Sequence, residues 1–153
     1  MRRGVRFKVP NRYGRLISDI LKPVDCRLYY WHINSDEIYI SGGGEFNGKS
    51  LFNENILQGK DFVDIINSND YVMIFAEFKA FPDAVSISEI STYQDFINST
   101  CQLIVLVVDS VYIDIYCKND VIVEKLFENT EDKGYKEIEY IDESDTRTRM
   151  YVW

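Results

Sequence analysis

The fold of this chain is decided by Leu103-Ile104-Val105-Leu106-Val107-Val108, which reaches Asp109-Ser110 and continues as Val111-Tyr112-Ile113-Asp114-Ile115-Tyr116-Cys117. The first run carries no charge, which predicts a strand buried on both faces, and the strict alternation predicts a second, half-buried strand. Asp109 and Ser110 are turn-forming residues. We therefore expect residues 102–118 to form the central β-hairpin of a sheet.

Caps and hydrophobic periods predict the elements that precede this hairpin. Asn11 follows Pro10 and is placed to cap a helix whose apolar side chains recur at helical spacing from Tyr13 to Leu21. The Asn34-Ser35 pair separates two aromatic and β-branched stretches, which predicts a second hairpin. The predicted elements are a strand over 5–9, a helix over 13–21, strands over 27–33 and 36–40, and a glycine-rich loop over 41–59.

The same signals continue towards the C-terminus. Ser91 and Gln94 have the spacing of a capping box, Asn119 or Asp120 is placed to cap the last helix, and Lys133-Gly134 is placed to end it. The predicted elements are helices over 60–67, from 91, and from 120 to 133, with strands over 71–78, 137–141 and 149–153. This order predicts an α+β protein, a single domain over residues 1–153, in which about four helices cover a mixed or mostly antiparallel sheet.

Length and composition narrow the class of protein. With 153 residues and 46% hydrophobic content, one domain of ordinary size is expected. The longest apolar run has six residues, far below the roughly 18 of a membrane span, and no apolar segment follows the basic start. A cytoplasmic protein with no membrane association is therefore expected. Cys26, Cys101 and Cys117 are widely spaced, which favours reduced thiols over disulfides, with Cys117 as inert core.

Charge argues against nucleic acid as a partner. The net charge is −8, whereas binding to phosphates needs a basic surface. Residues 1–22 nevertheless hold seven basic side chains against one acidic side chain. These basic groups either form a face for an anionic partner or pair with acidic groups that folding brings close, including residues 137–145. We favour internal pairing, because charge asymmetry has many structural causes.

Two segments resemble known chemical sites without completing them. His32 is the one histidine, and no ligand pair stands near it, so no catalytic residue and no metal site is assigned. Gly43, Gly48, Lys49 and Ser50 form a literal G-x-x-x-x-G-K-S phosphate-binding pattern. That pattern requires a buried parallel strand before it and a helix after it, and neither is predicted here. We therefore assign no cofactor and interpret this segment as a flexible connection whose glycines allow positive φ.

Exposed candidates for a ligand or partner surface lie in the second half of the chain. Tyr112, Asp114 and Tyr116 share one face of the second hairpin strand, and aromatic side chains are frequent in interfaces. The alternative is that a helix covers this face. Arg147 and Arg149 point the same way if residues 142–149 form a strand, which would make an anion clamp. The alternative is that these arginines pair with the acidic residues just before them.

Several segments resemble a small bacterial family, domain of unknown function 2691, found in spore-forming Gram-positive organisms. They are Arg3-Gly4, Pro10-Asn11-Arg12-Tyr13-Gly14, Ile20-Leu21-Lys22-Pro23, Lys79-Ala80-Phe81-Pro82, Leu106-Val107-Val108-Asp109, Ile115-Tyr116-Cys117-Lys118, Asp145-Thr146-Arg147-Thr148-Arg149 and Val152-Trp153. The resemblance spans nearly the whole chain and implies a cytosolic single-domain bacterial protein. It carries no catalytic residue over, and it does not extend to Gly48-Lys49-Ser50.

Three functions are therefore carried forward. The first is a non-enzymatic protein-binding or regulatory module, for which total charge predicts a basic partner and weaker binding at high salt. The second is a nucleotide or small-anion binder that uses the Gly43–Ser50 loop. The third is a homo-oligomer in which an edge strand, residues 149–153, pairs across a two-fold axis.

Overall fold

The computed structural model describes residues 2–42 and 45–152. The elements are β1 (Arg2–Lys8), α1 (Leu16–Ile20), a 3-10 turn (Cys26–Leu28), β2 (Tyr30–Gly42), β3 (Glu45–Ser50), β4 (Ile56–Gln58), α2 (Gly59–Ser68), β5 (Tyr71–Phe81), α3 (Tyr93–Asn98), β6 (Leu103–Val108), β7 (Tyr112–Cys117), α4 (Asp120–Asp132) and β8 (Lys136–Asp142). In the described ranges the strands form one sheet, in the order β3-β2-β5-β6-β7-β1-β8, with β4 also paired to β2. All of these pairings are antiparallel, and the α+β class is confirmed.

The central hairpin is confirmed. β6 and β7 pair from Leu103 opposite Cys117 to Val108 opposite Tyr112, so the charge-free run lies inside the sheet between β5 and β7. Asp109 and Ser110 form the turn, with φ of 51° and 68°. Three residues, 109–111, connect the paired positions Val108 and Tyr112, and positive φ at two of them helps the chain to reverse within this short connection.

Strand register divides the sheet into two faces. On the first, which we call the helix face, Ile33, Phe78, Val105, Ile115 and Val5 stand side by side across five strands. Their side chains belong to the larger core cluster, together with buried residues of α1, α2 and α4. The opposite face is covered only in part, by α3 and by buried side chains of residues 149–152, and we call it the charged face.

β2 corrects the predicted second hairpin. The chain does not turn at Asn34-Ser35, and β2 runs without interruption from Tyr30 to Gly42 beside β5. The register between the two strands shifts between Asn34 and Glu37. Such an irregularity absorbs an extra residue in one strand, so two residues typical of turns remain inside a strand.

The long loop predicted over 41–59 is also wrong. Residues 45–50 form β3 and residues 56–58 form β4, both against β2, and α2 already begins at Gly59. Gly59 allows close packing at this point, because a Cβ there would lie 2.3 Å from the Cys26 carbonyl oxygen. Strand pairing with β2 therefore orders residues whose own sequence shows little periodicity.

Three element boundaries differ from prediction. α1 begins at Leu16, with Arg15 as its N-cap, rather than after Asn11. The capping box of α3 is formed by Thr92 and Asp95, one residue later than the predicted pair. Residues 149–152 form no strand, and their one sheet-like contact is a bridge between Thr92 and Arg149. That correction removes the edge strand on which the homo-oligomer hypothesis relied.

The strand predicted over 5–9 is present but runs from Arg2 to Lys8, and the strand predicted from residue 27 begins only at Tyr30, after the 3-10 turn. The remaining predicted elements are confirmed. α2 and β5 cover the predicted helix and strand, and β8 covers residues 137–141. Asn119 caps α4 by accepting hydrogen bonds from the backbone N–H groups of Val121 and Ile122. Gly134 follows the end of α4 with φ of 72°, which favours glycine. Among the described residues, no helix is long and apolar enough to span a bilayer.

Candidate functional site

Two groups of mutually paired charged side chains lie on the charged face. Across five strands the register aligns Asn34, Glu77, Leu106, Asp114 and Arg6 in one row. Leu106 separates the carboxylates of Glu77 and Asp114 along this row. The two groups of charges are therefore separate sites on one surface.

The first group, which we call the arginine cluster, consists of Arg6, Asp114, Asp145 and Arg147. Arg6 donates from Nε to Asp114 Oδ1 at 2.8 Å and from Nη2 to Oδ2 at 3.0 Å, and Nη2 also donates to Asp145 Oδ2 at 2.7 Å. Arg147 Nη1 donates to Asp114 Oδ2 at 2.8 Å. These hydrogen bonds, with those to Asp114 as the largest cause, hold the pKa of Arg6 above its ordinary value. Asp114 thus fixes two guanidinium groups on one sheet face.

A cleft of about 300 Å³ opens beside this cluster. We call it the Tyr112 cleft, and it is lined by Arg6, Leu106, Val108, Tyr112, Asp114 and Arg147. Tyr112 is 47% exposed, and the Lys8 ammonium lies 5.0 Å from its ring centroid. A second depression of about 250 Å³ is also lined by Tyr112. The Tyr112 cleft thus combines an aromatic and aliphatic lining with guanidinium donors.

The predicted surface residues do not all reach this cleft. Tyr116 is buried with its ring centroid 6.0 Å from that of Tyr93 in α3, so a helix covers this part of the face. Burial is the main reason that the pKa of Tyr116 rises to about 12. Arg149 lies over the ring of Tyr151 at 5.4 Å and does not join Arg147. The anion clamp predicted from the two arginines is therefore not formed.

Internal pairing of the basic N-terminal side chains is confirmed for Arg6 and Lys8. Arg6 Nη1 lies 3.7 Å from Glu139 Oε1, in addition to its contact with Asp145. Lys8 pairs with Glu137. These acidic partners belong to residues 137–145, which the charge distribution of the sequence indicated as possible partners. Part of the positive charge of residues 1–22 is therefore neutralised by ion pairs within the fold.

The second group of charges, the Glu77–Lys79 pair, was missed by sequence reasoning. Both side chains are 4% exposed, and Lys79 Nζ lies 3.5 Å from Glu77 Oε2. Lys79 Nζ also donates to the Ile90 carbonyl at 3.0 Å, and Glu77 Oε1 accepts from the Val152 N–H at 2.7 Å. The signal was present in the sequence: two charges at i and i+2 of an apolar strand point to the same face.

His32 stands opposite Lys79 in the neighbouring strand. Its Nδ1 is buried and has no hydrogen-bond partner among the described residues. Burial is the main cause that lowers the pKa of His32, and the positive charge of Lys79 adds to it, while Glu77 acts in the opposite direction. The neutral imidazole is therefore favoured beside this ion pair.

The phosphate-loop candidates lack the geometry of a phosphate-binding loop in the part that is described. Gly43 lies outside the described residues. Gly48, Lys49 and Ser50 belong to β3, which is antiparallel to β2, and Ser50 stands opposite Tyr39. A phosphate-binding loop needs successive N–H groups at the start of a helix, whereas these residues end a strand.

Other reactive groups are inert or dispersed. The thiols of Cys26, Cys101 and Cys117 are buried, and burial is the main cause that raises the pKa of each, to about 12 for Cys26 and about 11 for Cys101. Over residues 2–42 and 45–152, no group of three or more metal-ligating side chains is found. The two charged groups are therefore the strongest candidate sites of the described structure.

Comparison with known proteins gives two matches. Residues 2–151 match the family described as "Protein of unknown function (DUF2691)". The chain is also 40% identical over 154 residues to "Uncharacterized protein YncE" of Bacillus subtilis (strain 168), an alignment that covers 99% of this chain and all of that protein. No solved structure matches.

Proposed function

This chain belongs to the DUF2691 family of proteins of unknown function, and we propose that it is a non-enzymatic protein-binding module whose docking site is the Tyr112 cleft. Its partner presents a segment with an apolar side chain next to a carboxylate. The observation that carries the proposal is that Arg147 lines the cleft with guanidinium donors that no described residue uses.

The apolar half of this proposal rests on the lining of the cleft. Leu106, Val108 and Tyr112 contribute aliphatic and aromatic surface, and Tyr112 is about half exposed. Tyrosine and arginine are enriched among the few residues that dominate binding energy in interfaces. An apolar side chain seated against these three residues would release water from both surfaces.

The carboxylate half rests on the unused donors of Arg147. Its Nη1 is bound to Asp114, while the described residues provide no acceptor for Nε or Nη2. Asp114 accepts three hydrogen bonds, and Asp145 accepts two. Most acceptor positions of Asp114 are therefore occupied while Arg147 keeps free donors, which favours a carboxylate over the basic partner that total charge predicts.

Rigidity supports a binding role over a catalytic one. The carboxylates of Asp114 and Asp145 are held in ion pairs with Arg6. The same contacts hold Arg6 and Arg147 in position before a partner arrives. Less conformational entropy is then lost on association, which raises affinity.

The test is selection from a random peptide library displayed on phage, with the full chain immobilised. We expect the bound peptides to share an apolar residue close to Asp or Glu. Fluorescence anisotropy of one selected peptide then gives the Kd, and we expect Arg147→Gln and Tyr112→Ser each to weaken it by about tenfold or more. Arg149→Gln is the matched control, because Arg149 lies over Tyr151 outside the cleft, and it should leave the Kd unchanged.

Two results would overturn the proposal. One is a selected peptide whose binding is unchanged by Arg147→Gln and Tyr112→Ser, with circular dichroism showing that both variants are folded. The other is a small aromatic acid, phenylacetate, that binds the cleft as tightly as the peptide, which would make this a small-molecule site.

A further inference from the structure

A second cavity lies on the same sheet face and plays no part in the Tyr112 cleft. Its volume is about 440 Å³, within the range of small-molecule sites. The polar lining comes from Asn34, Glu77, Lys79, Glu89, Ser91 and Tyr151. Glu77 and Lys79 are buried, whereas Glu89 is exposed. The cavity therefore has an ion pair at its buried side and a carboxylate at its open side.

In the Glu77–Lys79 pair, the ammonium group of Lys79 makes fewer hydrogen bonds than it could. An ammonium group has three N–H donors. Within the described residues, Lys79 has one good acceptor, the Ile90 carbonyl at 3.0 Å, and a long contact of 3.5 Å with Glu77. Removing such charges from water is costly unless their hydrogen bonds are satisfied. Lys79 thus keeps donor capacity at the wall of a cavity.

The arrangement of charges around the cavity specifies the ligand. At the buried side Lys79 offers ammonium donors beside the Glu77 carboxylate, and Glu89 offers an anion at the open side. Asn34 and Ser91 contribute amide and hydroxyl groups. A molecule that carries both a carboxylate and an ammonium offers each of these two side chains a group of opposite charge. We propose that this cavity binds a small amino-carboxylate, with the chemistry of a free α-amino acid, through its carboxylate on Lys79 and its ammonium on Glu89.

His32 reports on this site from the adjacent strand. It stands opposite Lys79, and the charge of Lys79 contributes to lowering its pKa. A carboxylate bound to Lys79 would offset that charge, so the pKa of His32 should rise when the ligand binds. Because His32 is the one histidine of the chain, its ring resonance is identified without further assignment.

The experiment uses the full chain and the common L-α-amino acids as probes. Isothermal titration calorimetry is expected to find at least one that binds with a Kd of about 1 mM or lower. The ring resonance of His32, followed by NMR over a pH series, is expected to show a raised pKa in its presence. Acetate and methylamine each carry one of the two charges, and we expect both to bind about tenfold or more weakly than the amino acid.

Two variants test the contacts directly. Lys79→Met and Glu89→Gln should each weaken the binding of the amino acid by about tenfold or more. Lys125→Met and Glu124→Gln are matched controls, because both residues are exposed on α4, and they should leave the Kd unchanged. Tyr112→Ser should also leave it unchanged, which separates this site from the proposed docking cleft.

Either of two results would overturn the inference. The first is that no amino acid binds the wild-type chain at concentrations up to about 10 mM. The second is that one binds but Glu89→Gln leaves its affinity unchanged. Because Glu89 is exposed, this variant is expected to fold normally, so the test stands even if Lys79→Met does not fold.

Discussion

Two buried carboxylates, those of Asp114 and Glu77, lie in one row of the same sheet face, but their environments differ. Asp114 receives three hydrogen bonds from Arg6 and Arg147, whose side chains stay 34% and 23% exposed. Glu77 faces an ammonium 3.5 Å away, and both of those side chains are 4% exposed. The arginine cluster is thus well bonded and partly exposed, while the Glu77–Lys79 pair is almost fully buried and loosely bonded.

This difference teaches how an ion pair relates to stability. A guanidinium that keeps contact with water loses little solvation, so its bonds to Asp114 are a modest net gain. A fully buried ammonium loses most of its solvation, and a single long contact restores only part of it. We therefore expect the Glu77–Lys79 pair to be the more sensitive of the two to the loss of one partner.

Replacing Glu77 with Gln should produce the largest effect. The amide keeps an acceptor for the Val152 N–H but leaves the buried Lys79 ammonium without an opposite charge. We expect the free energy of unfolding to fall by about 3–5 kcal/mol. Urea denaturation followed by circular dichroism measures this loss.

The double variant Glu77→Gln/Lys79→Met is the control for that experiment. It removes both charges, so no ion is left unpaired, and it should recover a large part of the lost stability. A double variant no more stable than the single one would mean that Lys79 contributes packing rather than an unpaired charge.

Replacing Asp114 with Asn should have a smaller effect, a loss of about 2 kcal/mol. Arg6 and Arg147 are partly exposed, and Arg6 still contacts Asp145 and Glu139. Salt sharpens the comparison, because the screening length falls to about 3 Å at 1 M. When the urea titrations are repeated at high salt, the loss of stability caused by Asp114→Asn should become smaller, and the loss caused by Glu77→Gln should stay nearly unchanged. An equal effect of salt on both losses of stability would contradict the conclusion that the arginine cluster is partly exposed and the Glu77–Lys79 pair is buried.

Replacing Arg147 with Gln should cost still less, about 1 kcal/mol, because one charge-assisted bond to Asp114 is lost and Arg6 keeps the others. Arg149→Gln removes the same charge two residues away and should change stability by less than about 0.5 kcal/mol. Thermal unfolding of the two variants side by side checks this. A larger loss for Arg149→Gln would show that its contact with Tyr151 anchors the C-terminal segment more firmly than the arginine cluster does.

Sequence periodicity was sufficient to predict strands, and the residues that share a face, where the pattern lies within one short segment. The alternation from Val111 to Cys117 predicts the hairpin and the shared face of Tyr112 and Asp114, and both are confirmed. The apolar alternation of Met150 and Val152 also marks the two buried residues of that segment. Periodicity does not reveal a strand partner, however, so it could not show that these residues pack on the sheet without joining it.

Long-range pairing explains what the sequence did not reveal. Asn34-Ser35 has turn chemistry, yet pairing with β5 keeps it inside a strand. The charges of Glu77 and Lys79 are visible in the sequence, but their partners Val152 and Ile90 lie 75 and 11 residues away. The candidate sites arise from such distant contacts, which no local pattern encodes.

The smallest effect, a change in the pKa of His32, separates the two clusters electrostatically. In the wild type its pKa should lie below the ordinary 6.5, since burial and Lys79 lower it. Lys79→Met should raise this pKa and Glu77→Gln should lower it further, as measured by NMR titration of the ring resonance. Asp114→Asn should leave it unchanged, because three strand spacings, about 14 Å, exceed the screening length of about 10 Å at 0.1 M salt.

The same titration has a consequence for stability. The pKa of His32 is lower in the folded state than in the unfolded state, so unfolding favours protonation of this side chain. The contribution of the neutral imidazole to the free energy of unfolding is therefore complete above about pH 6.5, and it is lost as the pH falls through the pKa of the folded state. Urea titrations between about pH 7.5 and 5.5 should therefore show stability falling with pH in the wild type and falling less in His32→Gln. If stability fell equally in the wild type and in His32→Gln, the pH dependence would come from other groups, and His32 would have no measurable electrostatic coupling to the Glu77–Lys79 pair.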